Sequence, residues 1–443
     1  MFYPPFFVSD NKLLNEAFRI AVGDIAGNIV PYRGGVLKQE EPCLMAGLDY
    51  EQPWTRDTAI NITYALALMD GDVCKNTLLS VLEEKNGKTV VAGSYGQTWD
   101  NVIWTVGAYE YLQFHNDDEF LRFAFEVSVN TLHEYEKSSF SQELNLFSGQ
   151  AVYADGIASY PDNIVRKIES NQPIYALSTN CVYYRVYRIC AEMAAKLGLA
   201  NDEYTEKAEK LKLAVVKHFR NDGTGLFDYF AGESDAQEGL GLAYAVLYDI
   251  ADKEQSVRFF ANAHITPNGV TCEWPPFSRY TSIGNGEYGR HCGTVWTLIS
   301  GAWALAALKA ADTKSFEREL FLLAEKAVRD LSFYEIYHPD TGLPYGGLQE
   351  WEGEIVKWTS CRKQSWSATA FLAMLYRGIA GIRVENGVLT VTPYLPNGVN
   401  EITLKNIRIA DKTFTLKVVK GKKYPKTFTG KPEDIDKEIL LSF

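Results

Sequence analysis

At 443 residues and 46% hydrophobic content, the chain has room for one large domain and a small one, with ample apolar mass for a core. Its 56 acidic against 44 basic residues give a formal charge of -12 spread along the length, which repels polyphosphate and anionic lipid and excludes nucleic acid and membrane surfaces as partners. No apolar run approaches the roughly 20 residues of a membrane span, and the stretch Met1-Phe-Tyr-Pro-Pro-Phe-Phe-Val-Ser-Asp10 lacks the basic start of a secretory signal.

From about residue 10 to 380, helix-length amphipathic segments alternate with loops rich in Gly, Pro and Asn. Asp10 is the expected cap of a first helix reaching about Ala26. Further helices are predicted near 57–69, 73–84, 98–114, 117–138, 178–198, 201–218, 238–250, 252–262, 292–311, 313–329 and 365–380. Short links such as Asn116-Asp117 and Ala311-Asp312 join antiparallel pairs, and long links recur at 139–177, 219–237, 263–291 and 330–364. Twelve helices in six hairpins, with the long loops at one rim, describe an all-α (α/α)6 toroid. Beyond 380 the runs 384–391, 402–404 and 412–419 alternate in period two, which predicts strands. The expected organisation is therefore a barrel over 1–380 and a small C-terminal antiparallel β cap over 381–443, sandwich-like in build.

Chemistry-bearing residues cluster where loops meet helix starts. Pro53-Trp-Thr-Arg-Asp57 sets a guanidinium fork beside a carboxylate ahead of the second helix, a pair suited to gripping a vicinal diol. Gln97-Thr-Trp-Asp100 opens the fourth helix, and Ala236-Gln-Glu238 heads the eighth in the same relative position. Glu335-Ile-Tyr-His-Pro-Asp-Thr-Gly342 places a carboxylate beside a turn, and Gln364-Ser-Trp366 starts the last helix about thirty residues on. Six histidines form no H-x-x-x-H pair, and neither a G-x-S-x-G elbow nor a phosphate loop is present, so no cofactor and no metal are expected. Asp70, Asp72 and Asn76 read as a turn rather than a calcium site.

The order of a carboxylate-bearing loop and then a Trp-Ser-Ala helix resembles the end of the catalytic barrel in the six-hairpin glycosidases, notably glucoamylases and the glucosidase I and mannosylglycerate hydrolase family (glycoside hydrolase family 63). Pro53-Trp-Thr-Arg-Asp57 is similar to the glucoamylase W-x-R-D motif, whose Arg and Asp hold hydroxyls of the terminal sugar. The resemblance covers most of residues 50–400 in element order and implies that Glu335 is the catalytic base, with matches at Tyr337, Pro339, Thr341 and Gly342. It implies a general acid on the loop between the fifth and sixth helices, 139–177, where Asp155 is the choice by loop position. Apolar and aromatic neighbours there suit a carboxyl kept protonated. Asp162 is its rival, and a plain Asp-Gly turn is the structural alternative. An insertion around 346–354 departs from the family pattern and brings in Glu350, and beside it Glu352, as alternative bases. Trp54, Arg56, Asp57, Trp99, Asp100, Glu238 and Trp366 are the substrate-binding candidates, with helix capping or a structural ion pair as the plainer reading of the acids. Trp274, Arg290 and His291 rank below them.

The resulting expectation is an inverting exo-acting glycoside hydrolase on an α-linked glucoside or a related sugar, with an oligosaccharide or small glycoside as its partner. Such chemistry needs two carboxyls roughly 6.5–9.5 Å apart, one protonated and one ionised. A sugar epimerase or isomerase on the same toroid would need His at the rim, where His291 and His338 stand. A non-catalytic glycan-binding barrel and a glycan phosphorylase would also suit the toroid. Seven cysteines, an odd number, lie far apart without a CxxC pair and read as reduced thiols, which makes the cytoplasm the expected location.

Overall fold

The computed structural model describes residues 2–93, 97–154 and 156–443. Among the described residues, twelve helices come in six outer-then-inner pairs, apart from the short helices Asp162–Glu169 and Ser278–Thr281: α1 (Lys12–Asn28) with α2 (55–69), α3 (Gly71–Leu79) with α4 (Trp104–Phe114), and α5 (Asp118–Ser138) with α6 (Leu177–Lys196). There follow α7 (Asp202–Phe219) with α8 (Gly239–Leu247), α9 (Lys253–Asn262) with α10 (Thr297–Lys309), and α11 (Thr313–Asp330) with α12 (365–379). The sequence decides the layer. In α8 the run Gly-Leu-Gly-Leu-Ala-Tyr-Ala-Val-Leu carries no charge and is buried on nearly every side, whereas α11 buries one face, through Phe316, Leu320, Leu323 and Ala327 with Glu319 and Lys326 beside them, and leaves its other charges at or near the surface.

The inner helices close a ring, α2 to α4 to α6 to α8 to α10 to α12 and back to α2. Small residues set how tightly it closes: a Cβ at Gly107 would stand 2.8 Å from Ala59 Cα, and one at Gly301 would stand 2.7 Å from Ala370 Cβ. Five of the six outer helices start on side-chain caps, Asn11, Asp70, Asp117, Asp252 and Asp312; α7 does not. The inner helices start on Trp54, Ile103, Ala176, Glu238, Trp296 and Gln364, whose side chains make no cap bond. Two of those starts are tied by short two-residue ladders, Gln237–Glu238 with Glu273–Trp274 and Val295–Trp296 with Ile336–Tyr337.

The strands beyond residue 381 fall into two sheets. One orders Phe6–Ser9, Glu401–Ile409, Lys412–Val419 and Glu438–Ser442; the other orders Ile382–Glu385, Val388–Val391 and Phe428–Gly430. Two details depart from the sequence reading. The first strand comes from the N-terminus, and Lys412–Val419 pairs with Glu438–Ser442 in parallel rather than antiparallel. Asp10 does not cap α1 either: the Asn11 side chain accepts from the Leu14 amide at 3.2 Å, and Asp10 accepts from the Asn400 amide at 3.0 Å. Asp70 caps α3 through the Val73 amide at 3.1 Å. All seven cysteines are buried and unbridged, and no described helix is long and apolar enough to cross a membrane.

Candidate active site

Glu335 enters the rim where its backbone amide donates to the Cys361 carbonyl at 2.9 Å, just ahead of the Ile336–Tyr337 ladder strand. Its carboxylate is 2% exposed and acts only as an acceptor. Oε1 receives the Tyr50 hydroxyl at 3.0 Å and the Gln364 amide at 3.2 Å, while Oε2 pairs with Arg290 Nη2 at 2.7 Å. Burial, then the charge of Glu335, pushes the Tyr50 hydroxyl well above its ordinary range, so that it stays a donor.

Tyr50 leads on to the α2 start, its ring edge-on to Trp54 at 6.3 Å. The Arg56 guanidinium lies 5.1 Å from the Trp54 ring, and its Nη1 donates to Gln97 Oε1 at 2.6 Å and to Asp100 Oδ2 at 3.1 Å. Asp57 Oδ2 stands 3.9 Å from Arg56 Nε, so this half of the rim is a buried charge network.

Asp155 lies outside the described residues. The chain on either side of it is anchored to the same rim. The Trp99 indole donates to the Ala154 carbonyl at 3.2 Å, and a Cβ on Gly156 would meet the Gln349 amide at 2.5 Å. The Tyr153 ring is 6.2 Å from His291, which stacks on Trp296 at 4.4 Å; Trp296 in turn lies 5.6 Å from Trp366 and 5.4 Å from the Arg290 guanidinium. The contacts thus run from Glu335 through Tyr50, Trp54 and Arg56 to Asp100, and from Glu335 through Arg290, Trp296 and His291 to Tyr153.

Other candidates sit elsewhere. Glu350 is held by Arg279 Nε at 3.2 Å and by the Tyr280 hydroxyl at 2.5 Å, and Asp162, largely exposed at the start of a short helix, pairs with Arg279 Nη1 at 2.8 Å. Glu352 occupies the tip of a hairpin with φ of 51°. Trp366 is buried beneath Trp296. Glu238 is fully enclosed: Oε2 accepts from the Ser178 amide at 3.0 Å, and burial pushes its carboxyl up to about 8. Directly across the ladder stands Glu273, equally enclosed, which accepts from the Tyr153 hydroxyl at 2.5 Å and the Tyr229 hydroxyl at 3.4 Å. Burial raises it well above the carboxylate range, and the charge of Glu238 adds to that.

The sequence reading missed Glu273, Tyr50 and Gln364 and underrated Arg290. An acid inside the apolar run Val270-Thr-Cys-Glu-Trp274 was a usable signal for the first. Nothing local marks Tyr50, which lies 285 positions from its partner. Among the described residues no three His, Cys, Asp or Glu side chains gather as metal ligands would.

The closed ring of six helical hairpins is the fold of the solved six-hairpin glycosidases, and a family model of that kind matches just under half of the chain. Residues 46–266 match the family model of the bacterial alpha-L-rhamnosidase six-hairpin glycosidase domain, a span that includes Arg56 and Asp155 and stops short of Glu335. The GH78 rhamnosidase of Bacillus sp. GL1 superposes with a TM-score of 0.66 at 13% identity, over 99% of this chain and 43% of that one. The GH63 mannosylglycerate hydrolase of Thermus thermophilus superposes at 0.55 and 13% identity, over 81% of this chain and 100% of that one. A sialidase gives 0.70 at 14% identity, with 94% of this chain spanning 38% of its length. At these identities the likeness is one of fold. A comparison with curated proteins finds no match.

Proposed function

We propose that the protein is an inverting, exo-acting glycoside hydrolase that removes a terminal α-linked glucosyl or related unit, with Glu335 as base and Asp155 as acid. One observation carries the reading: a buried carboxylate at the mouth of a closed helical ring, oriented by Tyr50, Gln364 and Arg290 so that it can only accept. A base of this kind needs to be fixed in direction, and the hydrogen bonds and ion pair on its two oxygens hold it so. Arg56 and Asp57 would hold sugar hydroxyls, Asp100 would steady Arg56, and Trp54 and Trp99 would wall the ring.

In the reaction, the acid gives its proton to the glycosidic oxygen as the bond to the anomeric carbon breaks. Water, losing a proton to Glu335, adds to that carbon from the opposite face. The leaving group departs as an alcohol, the sugar is released with inverted configuration, and exchange with solvent resets both carboxyls. The epimerase reading has less support, since His291 is enclosed between Tyr153 and Trp296 while the half-buried His338 bonds the Gly286 carbonyl.

The test is a screen of p-nitrophenyl glycosides that includes α-D-glucoside and, given the family whose model matches, α-L-rhamnoside, followed by proton NMR of the first anomer released. Inversion is expected, and Glu335→Gln should lower kcat by about 10²- to 10⁴-fold. Retention, or a Glu335→Gln variant with full activity, overturns the assignment.

A further inference from the structure

The hairpin of Leu348–Trp351 and Glu354–Lys357, which carries the insertion absent from the resembling motif, has two unlike faces. Register pairs Trp351 with Glu354 and Gln349 with Val356, and the period of two extends to Trp358, so Gln349, Trp351, Glu354, Val356 and Trp358 share one face. The edge-on contact of Trp351 with Trp358 at 5.9 Å agrees with that placement. The other face is fastened down: Glu350 is bound by Arg279 and Tyr280, Lys357 pairs with Glu287 at 2.7 Å, and Leu348 is buried. The tryptophan face is open, with Trp351 55% and Trp358 39% exposed. It abuts both arms of the candidate catalytic pair. Gln349 meets Gly156 of the acid loop, and Trp358 lies 6.0 Å from the Arg290 guanidinium that holds Glu335.

We infer that this face is the leaving-group subsite, and that its occupant is a sugar ring, which makes the natural substrate a di- or oligosaccharide rather than a small aryl glycoside. The inference rests on the proposed hydrolase. Two indoles held nearly perpendicular, with an isopropyl group between the strands, offer stacking surface to the C–H face of a pyranose; the carboxamide of Gln349 and the carboxylate of Glu354 on the same face offer hydrogen bonds to its hydroxyl rim. A flat phenolic group would use the indoles and leave both polar groups idle. Exposed tryptophans beside a reaction site are otherwise a solubility burden that a surface hairpin has no structural reason to carry.

The experiment compares Trp351→Ala with wild type on two substrates of whichever sugar turns over: its disaccharide, and its glycosyl fluoride, whose leaving group reaches no subsite. Thermal melts check that the variant is folded, and Trp351→Tyr serves as the conservative rescue. The ratio of kcat/KM for disaccharide to that for fluoride should fall about tenfold or more in Trp351→Ala and recover in part with Tyr. An unchanged ratio overturns the subsite, and a loss on p-nitrophenyl glycoside without one on disaccharide assigns it to an aromatic group and overturns the sugar. Quenching of tryptophan fluorescence by maltose and by rhamnose-containing disaccharides separates the two readings. Absence of turnover with quenching that Trp351→Ala weakens sinks the hydrolase alone, turnover with an unchanged ratio sinks the subsite alone, and absence of both turnover and quenching sinks the two together.

Discussion

Two buried carboxylates have opposite surroundings. Glu335 meets a guanidinium and two neutral donors, whereas Glu238 meets one backbone amide and faces a second acid, Glu273. The folded state therefore favours a protonated Glu238, with a pKa of about 8 against about 4.3 in an unfolded chain. The folded form then holds a proton that the unfolded form has released. Stability is greatest below the unfolded value and declines as pH rises towards 8, by at most about 1.4 kcal/mol per pH unit for each proton. Thermal melts at pH 5, 6.5 and 8 should show the wild-type Tm falling along that series, and Glu238→Gln should flatten the fall; parallel curves would reject this account. The same contrast explains what could be read at this scale. Glu335 sits in a contiguous run with Tyr337, Pro339 and Thr341, so its neighbours in sequence announce it. Glu273 matters only because residue 238 lies across the ladder from it, and pairing between distant segments leaves no local trace.

At the scale of elements, hydrophobic pattern marked twelve helix-length segments, and the layers differ in the share each buries, nearly all of α8 but one face of α11. Helix ends were less legible. The segment predicted to begin at 292 begins at Thr297, since Val295 and Trp296 are drawn into a ladder with residues 336–337, and the predicted 73–84 helix ends at Leu79 ahead of a hairpin at Leu82–Lys85 and Lys88–Val91. Close approach between elements supplies two further predictions. Gly301→Val would press on both Ala370 and its backbone within the inner ring, where neither can withdraw, and should cost about 1–3 kcal/mol by urea denaturation. Gly47→Ala meets softer neighbours, Gln364 Oε1 at 2.3 Å and Cys361 Sγ at 2.8 Å, both side-chain ends that can turn aside. Its stability cost should be small, yet Glu335 loses one of its donors. A hydrogen bond to a charged group contributes about 1.5–3 kcal/mol, so kcat should fall by about 10- to 100-fold with a nearly unchanged Tm; activity equal to wild type would mean that Gln364 does not orient the base.

On the scale of the whole molecule, the sequence reading placed residues 6–9 with the barrel because four residues alternating in burial are too short to announce a strand, and their partner lies some 395 positions away. Their pairing with Glu401–Ile409 joins the chain's two ends. The barrel side is stitched to both sheets at several points: the Ala410 amide donates to the Phe114 carbonyl at 2.7 Å, the Asn386 amide to Gln113 Oε1 at 2.9 Å, and the Tyr376 hydroxyl to the Pro5 carbonyl at 2.9 Å. One apolar cluster runs from Trp104 and Phe371 to Leu416 and Leu441 without a break. We therefore propose that a division into barrel and cap near residue 380 is one of architecture and not of stability, with both parts unfolding in a single transition. All nine tryptophans precede residue 381, so fluorescence reports the helical ring and its rim loops and not the C-terminal strands. Deleting residues 2–9 removes the buried Phe7 and an edge strand from the distant sheet and touches no tryptophan. If the parts are coupled, the urea midpoint followed by tryptophan fluorescence should drop by the equivalent of at least about 2 kcal/mol, the worth of one buried Phe, and should coincide with the midpoint from far-ultraviolet circular dichroism. A fluorescence midpoint that stays at the wild-type value would mean that the helical ring stands without its strands.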